Sequence, residues 1–307
     1  MVRWAPRHNS PRRKRSGSSR TYLAGSRIGS RIRDTGLMAE ARSTQTSSPL
    51  GALLQYWRRA RRLSQLALAS EADVSPRHIC FLETGRANPS REMVLHLATT
   101  LRVPLRERNT LLLAAGFAPL YRETRLDAPE LEPVRLAVQA ILRQQEPYPA
   151  VVMNRHWDLL GANEAATRFF QFLLGDAAKG PANVVRMMCH PDGLRPWVTN
   201  WEATAQELLQ RVHREAVGGV DDEATIRLLD EVCAYPGVPK RWRIPDLEAP
   251  LVPVISICFA KAGRTFRFFS TVTTLGTPQD ITLQEIRIEC FFPADAETGR
   301  NARELAG

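Results

Sequence analysis

Between Leu50 and Gly116 short apolar stripes at helical spacing are cut apart by residues that start or stop helices, and this punctuation allows little except a bundle of short helices. Leu50, Leu53, Leu54 and Trp57 recur at i, i+3, i+4 and i+7, one apolar side. Arg58, Arg59, Arg61 and Arg62 crowd the end of that helix, where cations suit the C-terminal dipole in any protein. Ser64 reads as an N-cap ahead of Leu68, Ala69 and Ala72. Ser75 reads as a second cap with Pro76 at the first helical position, Ile79 and Leu82 inward and Gly85 as the stop. A fourth helix starts at Ser90 with Val94, Leu97, Ala98 and Leu101 inward; a fifth starts at Pro104, presents Leu105, Leu111, Leu112 and Ala115, and ends at Gly116. Helices of about eight residues do not persist alone in water, so these five must share one core.

Past Gly116 the chain changes character. "LYRETRLDAPELEP" is charged and proline-containing, and residues 117–132 read as a linker. A helix over 133–145 follows, then "AVVMN" and "HWDLLGAN" as a hairpin, with Asn163 placed to cap a helix through Ala166, Phe169 and Phe170. Residues 194–216 read as one long helix with Trp197, Trp201, Leu208, Leu209 and Val212 on one side, and 222–234 as another. Three β-rich runs (251–260, 264–276 and 286–294) close the domain, the first two joined by the turn signal Ala262-Gly263. Two strands, several helices and three strands predict a five-stranded antiparallel sheet with its helices inserted after the second strand. The expected class is α+β multidomain: an all-α five-helix domain over 50–116 and an α+β domain over 133–298, with 299–307 as a disordered tail.

Residues 1–49 are rich in Arg, Ser and Gly and should be disordered. They read as a phosphate-gripping arm, as an Arg/Ser-rich targeting segment, or as sequence upstream of a true start at Met38. The net charge of +10 is unevenly spread: residues 1–37 carry +9, residues 38–120 carry +5 and the remainder −4. An acidic partner such as nucleic acid therefore belongs to the N-terminal half. The five cysteines are scattered without a CxxC pair, which argues against a disulfide framework or zinc site and for a reducing cytoplasm. No apolar run reaches the ~18 residues of a membrane span.

The helix after Ser75 keeps Ile79 and Leu82 inward, which leaves Arg77, His78, Phe81 and Thr84 to face outward, with Gln65 opening the helix before it. Guanidinium, imidazole, amide and hydroxyl donors on one face suit the base edges and phosphates of a major groove; a bundle with a polar surface has the same spacing. Cys189-His190-x-Asp192 holds the raw material of a nucleophilic site, but sequence neighbours diverge on a helix or strand. With no GxSxG, HExxH, P-loop or GxGxxG pattern, catalysis is not expected.

The arrangement "R..LSQ..LA..A.VS...I..LE.G...PS...L..LA..L" over residues 50–103 resembles the Xre/Cro-type helix-turn-helix family. That resemblance implies that Gln65 lies against DNA, that Arg77 and His78 lead the base readers, and that Thr84 and Arg86 lie near phosphates; Phe81 and Arg62 complete the candidate DNA-binding residues. Leu66 and Ala67 depart from it, standing where the family often has charged residues. "LLLAAGFAPLY", "NRHWDLLGAN", "CHPDGLRPWVTNW" and "FFSTVTTLGTPQDITLQEIRIECFFPAD" resemble the MmyB-like regulators, which join such a domain to a PAS-like ligand-binding domain.

The resemblance implies a homodimeric regulator on double-stranded operator DNA that senses a small apolar ligand, fatty acids leading, without another cofactor. The rival reading is a helix-turn-helix regulator or antitoxin-like module whose C-terminal domain serves only dimerisation or protein interaction. Trp157, Phe169, Phe268 and Phe291, with Trp197 and Trp201, are the aromatics for an acyl chain, though such stripes also build plain cores. Asn163, Arg186, His190, Arg195 and Asn200 are the candidates for a polar head group.

Overall fold

The computed structural model describes residues 48–175, 183–217, 222–240, 242 and 256–307. The basic extension, the start at Met38 and the opening of the run at 251–260 lie outside the described residues.

Five helices form the N-terminal domain: α1 (Pro49–Ala60), α2 (Gln65–Glu71), α3 (Pro76–Glu83), α4 (Arg91–Thr100) and α5 (Leu105–Ala114). The serine hydroxyls predicted as caps accept the orphan amides of the first turns: Ser64 from Ala67, Ser75 from His78 and Ser90 from Met93. Gly85 ends α3 at φ 72°, a left-handed conformation that costs other residues more. Leu54, Trp57, Leu68, Ile79, Leu82, Leu97 and Leu111 fill one core. Gly51 has a different role: a β-carbon there would lie 2.3 Å from the carbonyl oxygen of Glu83, so its lack of a side chain lets α1 close on the end of α3.

A buried ion pair locks those two helices. Arg58 Nε and NH2 donate to the two carboxylate oxygens of Glu83 at 2.6 and 2.8 Å, and Arg58 NH1 donates to the Leu63 carbonyl. Arg61 donates to the carbonyls of Leu101 and Arg102 at the end of α4. Two of the four arginines at the end of α1 thus hold the bundle together, and the basic end of that helix is less of a nucleic-acid signal than its composition suggests.

The C-terminal domain comprises α6 (Glu132–Gln144), β1 (Ala150–Met153), β2 (Leu159–Ala162), α7 (Glu164–Leu174), α8 (Val184–Cys189), α9 (Trp201–Val217), α10 (Glu223–Cys233), β3 (Ile257–Lys261), β4 (Arg264–Thr273), α11 (Ile281–Glu285), β5 (Arg287–Pro293) and α12 (Ala296–Ala306). The sheet is antiparallel throughout, in the order β2-β1-β5-β4-β3. Ala262 and Gly263, at φ 49° and 74°, make the tight β3–β4 turn. Period-two alternation gives each face its partners. Val152, Ile288 and Cys290 pack with Val138 and Leu142 of α6, while Val151 and Met153 meet α7, α8 and α9 from the other side.

Two expectations are corrected. The helix expected from 194 starts at Trp201; Pro196 sits in a short 3-10 turn and Val198 is extended, bridged to Phe259 of β3. Residues 299–307 are no disordered tail: Asp295 caps α12, whose Ala302 packs against β4 and α7, and Thr298 accepts from the Arg267 amide. The segment between the two domains is held to both: Asn109 of α5 grips the backbone of Leu120 and Tyr121, and the Thr124 amide donates to Asp280.

Candidate DNA-reading face and ligand cavity

Arg77 and Phe81 lie one turn apart on α3, with Thr84 as its C-cap, and Arg77 is exposed with its guanidinium 5.1 Å from the Phe81 ring centre. That stacking restrains a side chain that otherwise carries large rotamer entropy. His78 is half-buried in the first turn, and Arg62 and Arg86 are exposed at the ends of the helix-turn-helix. Two of the seven predicted residues already spend donors within the fold: Gln65 Nε2 donates to Glu83 at 2.8 Å, and the Thr84 hydroxyl donates to the Cys80 carbonyl at 2.7 Å. Gln65 is therefore positioned by the same carboxylate that joins α1 to α3.

The seven candidates for the ligand fall elsewhere. Asn163 is buried as a structural cap: its Oδ1 accepts from the Ala150 and Ala166 amides and its Nδ2 donates to the Leu142 and Tyr148 carbonyls. Asn200 ties Ser256 and Cys258 at the entrance to β3. Arg186 forms a surface ion pair with Glu231, which holds that carboxyl down at about 2, and Arg195 donates to the Pro236 carbonyl and stacks on Trp201. Trp201 donates to the Gly237 carbonyl, Trp197 faces the Lys261 ammonium, and His190 stands exposed against Tyr235. None of the seven lines the cavity described next. The Cys189 thiol is buried and pushed up to about 12 by that burial, while His190 accepts from the Asp192 amide, so the Cys-His-Asp trio does not assemble.

A cavity of about 470 Å³ lies between the inner face of the sheet and α7, α8 and α9. Small-molecule sites commonly hold ~300–1,000 Å³. Four of the six aromatics expected there, Trp157, Phe169, Phe268 and Phe291, line it, while Trp197 and Trp201 do not: Phe169 lies edge-on to Phe259 and Phe268 at 5.2 and 5.6 Å, Phe291 continues the wall, and Met187, Met188 and Leu194 close it. Trp157 also lines it, held at φ 65° in the β1–β2 turn, with Arg211 Cζ 4.7 Å and Arg287 Cζ 5.7 Å from its ring centre.

Sequence reasoning missed the polar lining: Thr204, Glu207 and Arg211 from α9, Ser270 from β4 and Glu289 from β5. Glu289 is 7% exposed, and Ser270 donates to its Oε1 at 2.6 Å. The signal was a lone acid on the inward phase of "IRIECFF", facing an arginine on the apolar side of the long helix. Among the described residues no cluster of three or more His, Cys, Asp or Glu side chains suits a metal ion, and no helix is long and apolar enough to cross a membrane.

Two family models match the chain, one for each domain. Residues 49–111 match a family model described as a helix-turn-helix domain. Residues 134–305 match the model of the MmyB-like transcription regulator ligand binding domain. No curated protein matches the chain. Among solved structures, an RNA-binding light-oxygen-voltage receptor aligns at 12% identity over 89% of this chain and 67% of that one, with a TM-score of 0.27, too loose a superposition to carry structural meaning. A helix-turn-helix bundle joined to a five-stranded antiparallel ligand-binding domain makes this chain a transcription regulator, and it belongs to the MmyB-like family of Xre-type regulators.

Proposed function

We propose that the chain binds operator DNA as a homodimer through α3 and that an apolar ligand in the aromatic cavity biases that binding. The observation that carries this reading is the cavity itself, a ligand-sized apolar space in a domain physically tied to the reading domain. Arg77 and His78 contact base edges, while Arg62, Arg86 and Thr84 neighbour phosphates with Phe81 and Gln65 beside them. One recognition helix reads only a few base pairs, so two copies bind half-sites about one helical turn, ~34 Å, apart. The resemblance points to fatty-acid-like molecules, and the aromatic wall suits an acyl chain.

The route to the DNA-binding domain runs through ion pairs. Arg211 lines the cavity and lies 3.5 Å from Glu215, which accepts from Arg287. Glu215 and Arg287 also line a cleft shared with α5, in which Arg155 and Arg106 both meet Glu285. A ligand that engages Arg211 differently from the empty state changes the charge balance at the foot of α5, and this differential contact is what an allosteric effect requires. Selection of operator DNA from a random pool with the full chain, together with native mass spectrometry of the same preparation, tests the reading. The expected result is an enriched two-fold sequence and a bound lipid-sized mass; no enriched sequence and a consistently empty protein would overturn it.

A further inference from the structure

Resting on the reading of α3 as the DNA-contacting helix, we infer that Arg77 and Phe81 read one two-base step together: Arg77 takes the major-groove edge of a guanine, and Phe81 packs on the 5-methyl group of a thymine in the adjoining base pair. Helix α3 uses its apolar side chains in two ways. Ile79 and Leu82 enter the core at 2% and 1% exposure, whereas Phe81 stands outside that core cluster and is partly exposed. Its ring instead meets the Arg77 guanidinium, 5.1 Å from the ring centre and one turn back along the helix. An aromatic ring left off the core does little to hold the bundle together. The donors of Arg77 are as uncommitted as the ring. Arg58, Arg61, Gln65 and Thr84 all spend donors inside the fold, while exposed Arg77 has neither a carboxylate nor a carbonyl partner among the described residues.

Stacking uses the face of a guanidinium and leaves its N–H edge for hydrogen bonds. In the major groove the acceptor pair that matches such a fork is O6 and N7 of guanine. Neighbouring base pairs lie ~3.4 Å apart, so a ring in contact with that guanidinium reaches the next pair. A phenyl ring neither donates nor accepts there. Against an amino or carbonyl edge it would strip water from a polar group and return no hydrogen bond. The apolar group that an unmodified base pair offers in this groove is the thymine methyl. An A·T pair beside a G·C pair is therefore the step that these two side chains fit, once in each half of a two-fold site.

The test uses the full chain on a duplex that it selects from a random pool, with single groups of the DNA changed. Deoxyuridine in place of the thymine beside the guanine removes the methyl group alone and should weaken binding about fourfold, the worth of burying one such group. 7-Deazaguanine in place of the guanine removes one acceptor of the fork and should weaken binding at least about fivefold, a loss that vanishes in Arg77→Ala. Both changes are made in the DNA, so the native chain alone can contradict the inference. Phe81→Ala should bind the thymine and deoxyuridine duplexes alike, while Phe81→Leu, still apolar, should tell them apart. A selected site in which deoxyuridine replaces each thymine without loss overturns the inference. So does a methyl effect that survives Phe81→Ala, which would pass to another apolar side chain such as Leu66, 67% exposed on α2. In both cases the reading by α3 stands as long as Arg77→Ala relaxes sequence preference. A pool from which no sequence is enriched overturns that reading and the inference together.

Discussion

Arg77 shows how a single side chain is prepared for reading. Its exposed guanidinium rests against Phe81, so part of the ordering cost is met before DNA arrives. Arg77→Ala should cost on the order of 1–3 kcal/mol on a selected operator and relax preference at one position. Phe81→Ala should weaken the same preference by a smaller amount, and parallel binding-site selections check both. Asn163 is the opposite case, a residue whose chemistry suits a ligand but whose four hydrogen bonds are all structural. Asn163→Ala should cost on the order of 3 kcal/mol of stability in chemical denaturation, from a lost cap and orphaned buried groups. Its effect on ligand affinity should appear only as far as the fold is lost. Nothing in the local sequence separates the two roles, because a helix N-cap and a buried amide donor use the same residue type.

At the scale of elements, the helices of the reading domain were legible because each carries its own start and stop signal: Ser64, Ser75, Ser90 and Gly85 act within one turn of where they stand. The strands were legible by alternation and by Ala262-Gly263. Features set by distant partners were not. The break before α9 comes from the bridge of Val198 to Phe259, some 60 positions on, and α12 depends on β4 for burial. The polar end of the cavity joins α9 to β4 and β5 in the same way, which is why the head-group candidates drawn from the neighbourhood of His190 missed it.

The α1–α3 contact is a further element-level device. Glu83→Ala should cost ~3–5 kcal/mol, since it leaves Arg58 buried and unpaired, and an apolar pair at both positions should recover much of that loss in thermal denaturation. The β1–β2 turn supplies a pH dependence. His156 has a lowered affinity for protons, through burial first and the neighbouring Arg155 second, with Asp222 opposing. The unfolded chain then takes up the proton more readily than the fold, so this contribution to stability is present above the ordinary histidine pKa of ~6.5 and is lost as pH falls through the lower folded value. Denaturation midpoints between pH 7 and 5 should fall more steeply for the native chain than for His156→Asn.

Across the whole molecule, the two domains meet through a small polar contact: the Leu105 amide donates to Gln284 at 2.7 Å, and Arg106 pairs with both Glu285 and Glu123. Small polar contacts of this kind suit a joint that must rearrange, because few apolar groups resist the movement. Arg106 stands on α5, away from α3, so Arg106→Ala should leave operator binding by the empty protein within about twofold and remove the response to ligand. The most direct measurement is operator affinity of the full chain with and without a ligand that native mass spectrometry shows bound to it, in the native protein and in Arg106→Ala. The account predicts a shift of roughly fivefold or more in the native protein, mirrored by an equal effect of operator on ligand affinity and abolished in the variant. Operator affinity unmoved by every ligand that fills the cavity would contradict it.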